Sequence, residues 1–182
     1  MVWLAALAIG LVAGLGSGGK IGNLSRIRFR WPWLIVAALV VRVVAVLPPL
    51  SRIEGIQWVY VGALTAVLAW TIWHIDRIPG IWLVATGSAA NLFVIAANGG
   101  HMPVAPELAG RLVQRGQVGQ YTLISPGTHL NWLADWIGLP GPLHEAYSPG
   151  DLIVALGIAI VVLLAMRTRF DETRRRIVND PP

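Results

Sequence analysis

Five apolar stretches, separated by short polar or glycine- and proline-rich connections, make up most of the chain. They cover residues 2–15, 33–47, 56–72, 81–97 and 152–166. An α-helix rises about 1.5 Å per residue, so runs of this length approach the roughly 30 Å hydrocarbon thickness of a bilayer. The pattern predicts an all-α fold: one membrane domain, a polytopic transmembrane helix bundle of about five spans.

The first stretch is the shortest and contains Gly10 and Gly14. A signal peptide is the competing interpretation, but it carries positive charge before its apolar run. Here the first charged residue is Lys20, which follows the run. We therefore expect a retained helix; without it, four spans would keep the same orientation.

Charge sets the expected orientation. Only 13% of residues are charged, and the formal net charge is +5. With the N-terminus outside, most basic residues face the cytoplasm, including the tail 167–182. These residues are Lys20, Arg26, Arg28, Arg30, Arg77, Arg167, Arg169, Arg174, Arg175 and Arg176. The positive-inside rule then predicts a multi-pass protein of the bacterial inner membrane, N-terminus out and C-terminus in.

The cations lie beside span ends, where they meet lipid headgroups, so no nucleic-acid partner is expected. The absence of cysteine excludes disulfides, thiol catalysis and cysteine-bound metals. Tryptophans near the span ends suit the two interfaces.

Residues 98–148, here called the cap, form the one long connection and are expected outside, between spans four and five. Within the cap, residues 128–139 have Leu130, Leu133, Ala134 and Ile137 on one face of a helical wheel. This predicts an amphipathic interfacial helix whose apolar face rests on the bundle or the membrane surface. The apolar and aromatic content predicts an ordered cap.

Arg42 lies near the middle of the second stretch, where an arginine costs about 2.5–3.5 kcal/mol on insertion. Asn91 is expected at similar depth. Three interpretations stay open: Arg42 reaches the headgroups or pairs with Asp151, it binds an anionic ligand or lipid together with Asn91, or it takes part in transport or gating.

Two motifs border the cap. The paired glycines in NGGHMPV, from Asn98 to Val104, suit either a helix cap and turn or a close approach to a ligand. In SPGD, Ser148 suits the N-cap position, Pro149 the first turn and Asp151 the third position of a capping box.

The polar residues of the cap define a candidate outer-face site. Its members are Asn98, Gly99, Gly100, His101, Met102, Asp135, His144, Glu145 and Asp151. The histidines lack metal-ligand spacing, so we predict no metal and no cofactor. A bound lipid fits the composition. His74, near Asp76, is expected at the inner interface, and ligation of a pigment by a lone histidine is the alternative.

The segments GGKIGNLSRIRFRWPW, NGGHMPV, LADWIGLP and SPGD together resemble a family of small bacterial integral membrane proteins catalogued as a domain of unknown function. The resemblance covers nearly the whole chain. It implies a five-span membrane protein without an assigned activity and transfers no catalytic residue. The positions matching its motifs are Asn98, Gly99, Gly100, Met102, Pro103, Asp135 and Asp151.

Three functional hypotheses follow. The first is a non-catalytic accessory subunit or binding protein of a membrane complex, with lipids, other subunits or a second copy as partners. The second is a membrane enzyme or lipid-processing protein, whose acid–base groups His101, Asp135, His144, Glu145 and Asp151 would converge within about 6 Å. The third is a transporter, which the absence of a detectable inverted repeat disfavours.

Overall fold

Five α-helices occupy the positions of the five apolar stretches. They are α1 (Val2–Gly16), α2 (Trp33–Val46), α3 (Ile56–Trp73), α4 (Ile81–Ala97) and α5 (Pro149–Arg167). The computed structural model describes residues 2–27, 29–46, 53–110, 120–139 and 145–167. The predicted helix positions are confirmed. Helix α5 begins three residues earlier than the apolar stretch because Pro149, Gly150 and Asp151 form its first turn.

The helices are apolar on all sides, and much of that apolar surface is exposed. Val12 on α1 is 70% exposed and Phe93 on α4 is 63% exposed. A helix on a water-soluble protein instead hides an apolar stripe and shows a polar one. By length and composition α3 and α5 are able to cross a membrane, while α1 and α4 are shorter apolar helices.

The helices are arranged as an open row in the order α2–α3–α4–α5–α1. Each helix contacts its neighbours in this order, and among the described residues no other two α-helices make extensive contact. Helix α1 runs parallel to α5, since Val2 lies near Tyr147 and Gly14 near Met166. The short connections predict that spans two, three and four are antiparallel neighbours, and their contacts in the row confirm that they are neighbours. The row is nevertheless not a closed bundle.

Glycines bring α1 and α4 into close contact with α5. A methyl group on Gly10 would lie 2.7 Å from the Ala159 carbonyl oxygen, and one on Gly87 would lie 2.5 Å from the Gly150 carbonyl oxygen. A methyl group on Gly157 would likewise lie 2.7 Å from the Val84 backbone nitrogen. Small residues allow two helix backbones to approach closely, which maximises van der Waals contact. Helix α5 is therefore the centre of the tightest contacts.

One end of the row, here called the basic end, carries Lys20, Arg26, Arg30, Arg77 and Arg167. A 3₁₀ helix, Ile21–Arg26, lies against the last turn of α5. The Lys20 amide donates to the Met166 carbonyl at 3.0 Å, and the Asn23 side-chain amide donates to the same oxygen at 2.8 Å. The chain leaving α1 is thus attached to the end of α5.

His74 joins the start of α2 to the end of α3 at the basic end. Its Nε2 accepts the Arg30 amide at 3.1 Å, so its Nδ1 carries the proton that is donated to the Trp70 carbonyl at 2.8 Å. The Trp70 indole donates to the Arg30 carbonyl at 2.7 Å. His74 is fully buried, with both ring nitrogens bonded to the backbone, and its expected position at the inner interface stays a prediction.

The cap contains strands, which the all-α prediction missed. Strand β1 (Met102–Val104) pairs in parallel with β2 (Tyr121–Leu123), and β3 (Ile137–Gly138) pairs antiparallel with β4 (Ala146–Tyr147). Both sheets have two strands.

The predicted interfacial helix over residues 128–139 is wrong. This segment holds a 3₁₀ turn, Asn131–Leu133, and then an extended run, because its backbone pairs with β1 and with the residue that follows it. The Asp135 amide donates to the Pro103 carbonyl, and the Ala105 amide donates to the Asp135 carbonyl, both at 2.9 Å. The 3₁₀ turn nevertheless rests on the ends of α4 and α5.

The close contact between α4 and α5 predicts opposite outcomes for two glycine substitutions. Gly87→Ala forces a methyl group against the α5 backbone and should cost about 1–3 kcal/mol. Gly62→Ala on α3 meets open space, so it should be neutral or stabilise by about 0.5–1 kcal/mol. Thermal unfolding of both variants in one detergent measures the difference. Equal stability of the two would show that α4 and α5 do not approach as described.

Candidate functional site

A polar cleft of about 370 Å³ opens in the cap just beyond the end of α4. Its lining residues are Ala97, Asn98, His101, Thr122, Ser125, Gly127, Thr128 and His129. Ala97 is the last residue of α4, two of the others follow that helix, one lies on β2 and four lie on the turn after β2. The lining residues thus carry two imidazoles, three hydroxyls and one side-chain amide.

The floor of the cleft is the end of α4, which the NGG sequence terminates. Gly99 and Gly100 adopt φ angles of +67° and +89°, which glycine tolerates without strain. The Gly100 amide donates to the Ile95 carbonyl at 2.8 Å, satisfying a helix-end acceptor. A side chain on Gly100 would also meet Gln57 of α3. The cap-and-turn interpretation of this motif is confirmed.

Asn98 ties the far wall of the cleft to the helix. Its Nδ2 donates to the Val94 carbonyl at 2.8 Å and to the His129 carbonyl at 2.9 Å. Its Oδ1 accepts the His129 amide at 2.8 Å. Because the amide group is used at both ends, Asn98 positions the loop and has little capacity left for a ligand.

The remaining wall is a turn that Thr128 closes. Its Oγ1 accepts the Ser125 amide at 3.0 Å and lies 2.8 Å from both the Ser125 carbonyl and Asn131 Oδ1. By contrast, no hydrogen bond within the described residues engages the rings of His101 and His129 or the hydroxyls of Thr122 and Ser125. These four groups are the ones with hydrogen-bonding capacity to offer a bound molecule.

A second polar cluster joins α4 to the start of α5. Ser148 Oγ accepts the Asp151 amide at 2.9 Å, and Asp151 Oδ2 accepts the Ser148 amide at 3.2 Å, which is the predicted capping box. Asn91 completes the cluster: its Nδ2 donates to Asp151 Oδ1 at 2.9 Å, and its Oδ1 accepts the Ser148 hydroxyl at 2.8 Å. Both Asp151 oxygens therefore have partners in the cluster.

The other predicted site residues lie apart from the cleft. Met102 is buried among Tyr60, Val94 and Ile95 in the core between the cap and the helices. Asp135 is 6% exposed and pairs through its backbone with the segment around β1. Neither residue lines the cleft.

Glu145 is bonded to Tyr147 just before α5. The Tyr147 hydroxyl donates to Glu145 Oε2, and the Val2 amide donates to that hydroxyl at 3.2 Å. Burial raises the pKa of Tyr147, and the bond to Glu145 raises it further. The phenol therefore remains a protonated donor at neutral pH, so this pair links the cap to the start of α1.

His144 and the Arg42 side chain lie outside the described residues, so their proposed roles stay predictions. Asn91, grouped with Arg42 from its expected depth, is engaged by Asp151 and Ser148 instead. Within the described ranges, no group of three histidine or acidic side chains is arranged to hold a metal ion.

Sequence reasoning missed the hydroxyls of Thr122, Ser125 and Thr128. The position of these hydroxyls depends on the pairing of β2 with β1, and no local sequence motif predicts that pairing. A partial signal exists in the SPGT sequence at residues 125–128, since serine, proline and glycine favour a turn.

The fold and the cleft define a mostly helical protein with a small strand-containing cap. The chain belongs to the family of unknown function DUF5317, whose model matches residues 26–163. The expected membership in a domain-of-unknown-function family is confirmed. An uncharacterized protein of Thermotoga maritima is 33% identical over 106 residues, which are 57% of this chain and 61% of that protein. The chain thus aligns with about three fifths of that relative's length. No solved structure matches this chain.

The Asn91–Ser148–Asp151 cluster predicts energetic coupling between α4 and α5. Asn91→Ala and Ser148→Ala should each cost about 1–3 kcal/mol, because each leaves a polar group at the helix interface without its partner. The double variant should cost less than the sum of the two, since both remove the same interactions. Thermal unfolding of the four members of the cycle measures the coupling.

Thr86→Ala is the matched control, because within the described part of the chain that hydroxyl bonds only to the Trp82 carbonyl of its own helix. It should leave stability nearly unchanged and add independently to Asn91→Ala. Strict additivity of Asn91→Ala and Ser148→Ala would contradict the cluster.

Proposed function

We propose that this chain is an integral protein of the bacterial inner membrane, with five spans, that acts without catalysis. Its role is that of an accessory subunit or binding protein of a membrane complex. The cap lies outside the cell membrane, and the cleft beside α4 is its recognition site for a small polar ligand or a polar group of a partner.

The observation that carries this proposal is the distribution of tryptophan. Eight of the nine tryptophans are exposed, and they lie in two groups of four at the two ends of the helix row. The cap side has Trp3, Trp58, Trp132 and Trp136, and the basic end has Trp31, Trp33, Trp73 and Trp82. Only Trp70 is buried, at 5% exposure. Two exposed aromatic belts flanking an apolar band are typical of a protein that sits across a bilayer.

Charge supports the orientation. All five described lysine and arginine residues outside α2 lie at the basic end. The described acids of the cap side are Glu54, Glu107, Asp135, Glu145 and Asp151. The positive-inside rule favours the basic end in the cytoplasm, and this leaves the cap and its cleft outside.

The dispersed acid–base groups favour binding over catalysis. Proton transfer needs an acid or base within hydrogen-bond reach of the reacting group, usually supported by a second residue. Among the described residues, Asp151 is committed to its cluster with Asn91, Glu145 to Tyr147, and Asp135 is buried in the cap. The cleft itself offers imidazoles and hydroxyls but no described carboxylate.

The open row also favours a subunit over a transporter. Transport folds place the substrate near the bilayer midplane between two repeated halves. A single row of helices encloses no such space, and it leaves the exposed faces of α3 and α4 free to contact another subunit or lipid.

Cysteine labelling tests the orientation directly, because the chain has no native cysteine. We expect a membrane-impermeant maleimide to label Pro126→Cys, in the turn beside the cleft, in intact spheroplasts. Ser25→Cys, in the 3₁₀ helix of the basic end, should react only after lysis. Both positions are exposed, so they form a matched pair. The reverse pattern would overturn the orientation, and labelling of both in intact cells would overturn the membrane-spanning arrangement.

The same membranes, solubilised in a mild detergent, test recognition at the cleft. A protein or small molecule should co-purify with the chain, and its amount should fall in a His101→Ala/His129→Ala variant. Thr86→Ala should retain it. If the unmutated protein purified as a lone monomer with nothing bound, the binding role would be contradicted.

A further inference from the structure

The basic end has a surface that the cleft and the cap do not explain. Resting on the membrane location proposed above, we propose that it is a specific site for an anionic phospholipid. The side chains of Lys20 and Arg167 hold the lipid phosphate, and exposed apolar residues at the end of α1 hold an acyl chain.

Backbone contacts place the two cations side by side. The Lys20 amide is bonded to the carbonyl of Met166, the residue that immediately precedes Arg167. Gly19 lies so close that a methyl group there would be 2.9 Å from Met166 Cβ. Because the backbone is fixed on both sides, the two side chains emerge from adjacent points.

Neither side chain is needed elsewhere in the described structure. The Met166 carbonyl at the end of α5 is already satisfied by the Lys20 amide and the Asn23 side chain. Lys20 and Arg167 are both exposed, and neither has an ion-pair partner among the described residues. Asp76, on the turn between α3 and α4, is the one described acid at this end.

The neighbouring surface is apolar, which favours a lipid over a free phosphate. Leu15 in the last turn of α1 is 52% exposed, and Ile21, which directly follows Lys20, is 58% exposed. Exposed apolar side chains next to two cations complement an acyl chain that ends at a phosphate. A soluble phosphate or a nucleic acid has no acyl chain, so a site for either would not need these exposed apolar side chains.

Binding in detergent micelles tests the site. Native mass spectrometry with added phosphatidylglycerol should show a bound lipid, whereas phosphatidylcholine and glycerol 3-phosphate should bind weakly. Each cation near an anionic headgroup contributes enough that Lys20→Gln/Arg167→Gln should weaken phosphatidylglycerol binding roughly 30-fold. Arg167→Gln alone should weaken it roughly five-fold.

Arg30→Gln/Arg77→Gln is the matched control, because it removes the same charge from the same end. It should keep most of the affinity. Equal loss in both double variants would show general attraction in place of a site, and tight binding of glycerol 3-phosphate would show a free-phosphate site. Either result overturns the proposal. Thermal unfolding without lipid checks that each variant folds, and the single Arg167→Gln variant provides the test if the double variant does not fold.

Binding in micelles depends on neither the orientation of the protein in a membrane nor the cleft. Failure of lipid binding therefore leaves the labelling and co-purification results intact. Conversely, an inverted topology would leave lipid binding in micelles unchanged.

Discussion

The close contact of α5 with α1 on one side and α4 on the other is the constraint on which the remaining structure depends. Gly10 and Gly87 leave no room for a side chain at these two contacts, so the helix backbones themselves touch. In the membrane location proposed above, apolar side chains gain little by leaving lipid for one another, so van der Waals contact and a few polar bonds must supply the association. Glycine maximises the first, and the Asn91–Ser148–Asp151 cluster supplies the second.

Hydrogen bonds at both ends of α5 attach other segments of the chain to this helix. At its start, the capping box fixes Ser148, and the neighbouring Tyr147 joins β4 to the beginning of α1. At its end, the Met166 carbonyl accepts hydrogen bonds from the segment that follows α1. The end of α4 sets the position of the cleft, because Asn98 is hydrogen-bonded to the backbone of His129 in the far wall of the cleft. The cleft and the cation pair therefore lie at opposite ends of the helices that contact α5.

The helices could be predicted closely from the sequence, and α4 was predicted without error at residues 81–97, because glycine and proline end the apolar runs sharply. The NGG turn and the SPGD capping box were also predictable, since both depend on local backbone chemistry. Residues 128–139 were not, because a wheel pattern over so few residues is satisfied equally by a 3₁₀ turn and an extended segment. What decided the outcome was pairing with the distant Pro103. The burial of His74 likewise depends on the segment around Arg30, forty-four positions away in the chain.

Short connections predict the order of α2, α3 and α4, but the positions of α1 and α5 could not be predicted, because five apolar helices suit a closed bundle as well as a row. The distance between the two edge helices distinguishes these arrangements. Spin labels at Ile9→Cys on α1 and Leu39→Cys on α2 are both exposed and lie at similar depth. Four spacings of about 8–10 Å separate α1 from α2 in the row, so double electron–electron resonance should give a distance between the labels of about 30–40 Å. A separation near the distance of two touching helices would show that α1 closes on α2, and it would contradict an α5-centred open row.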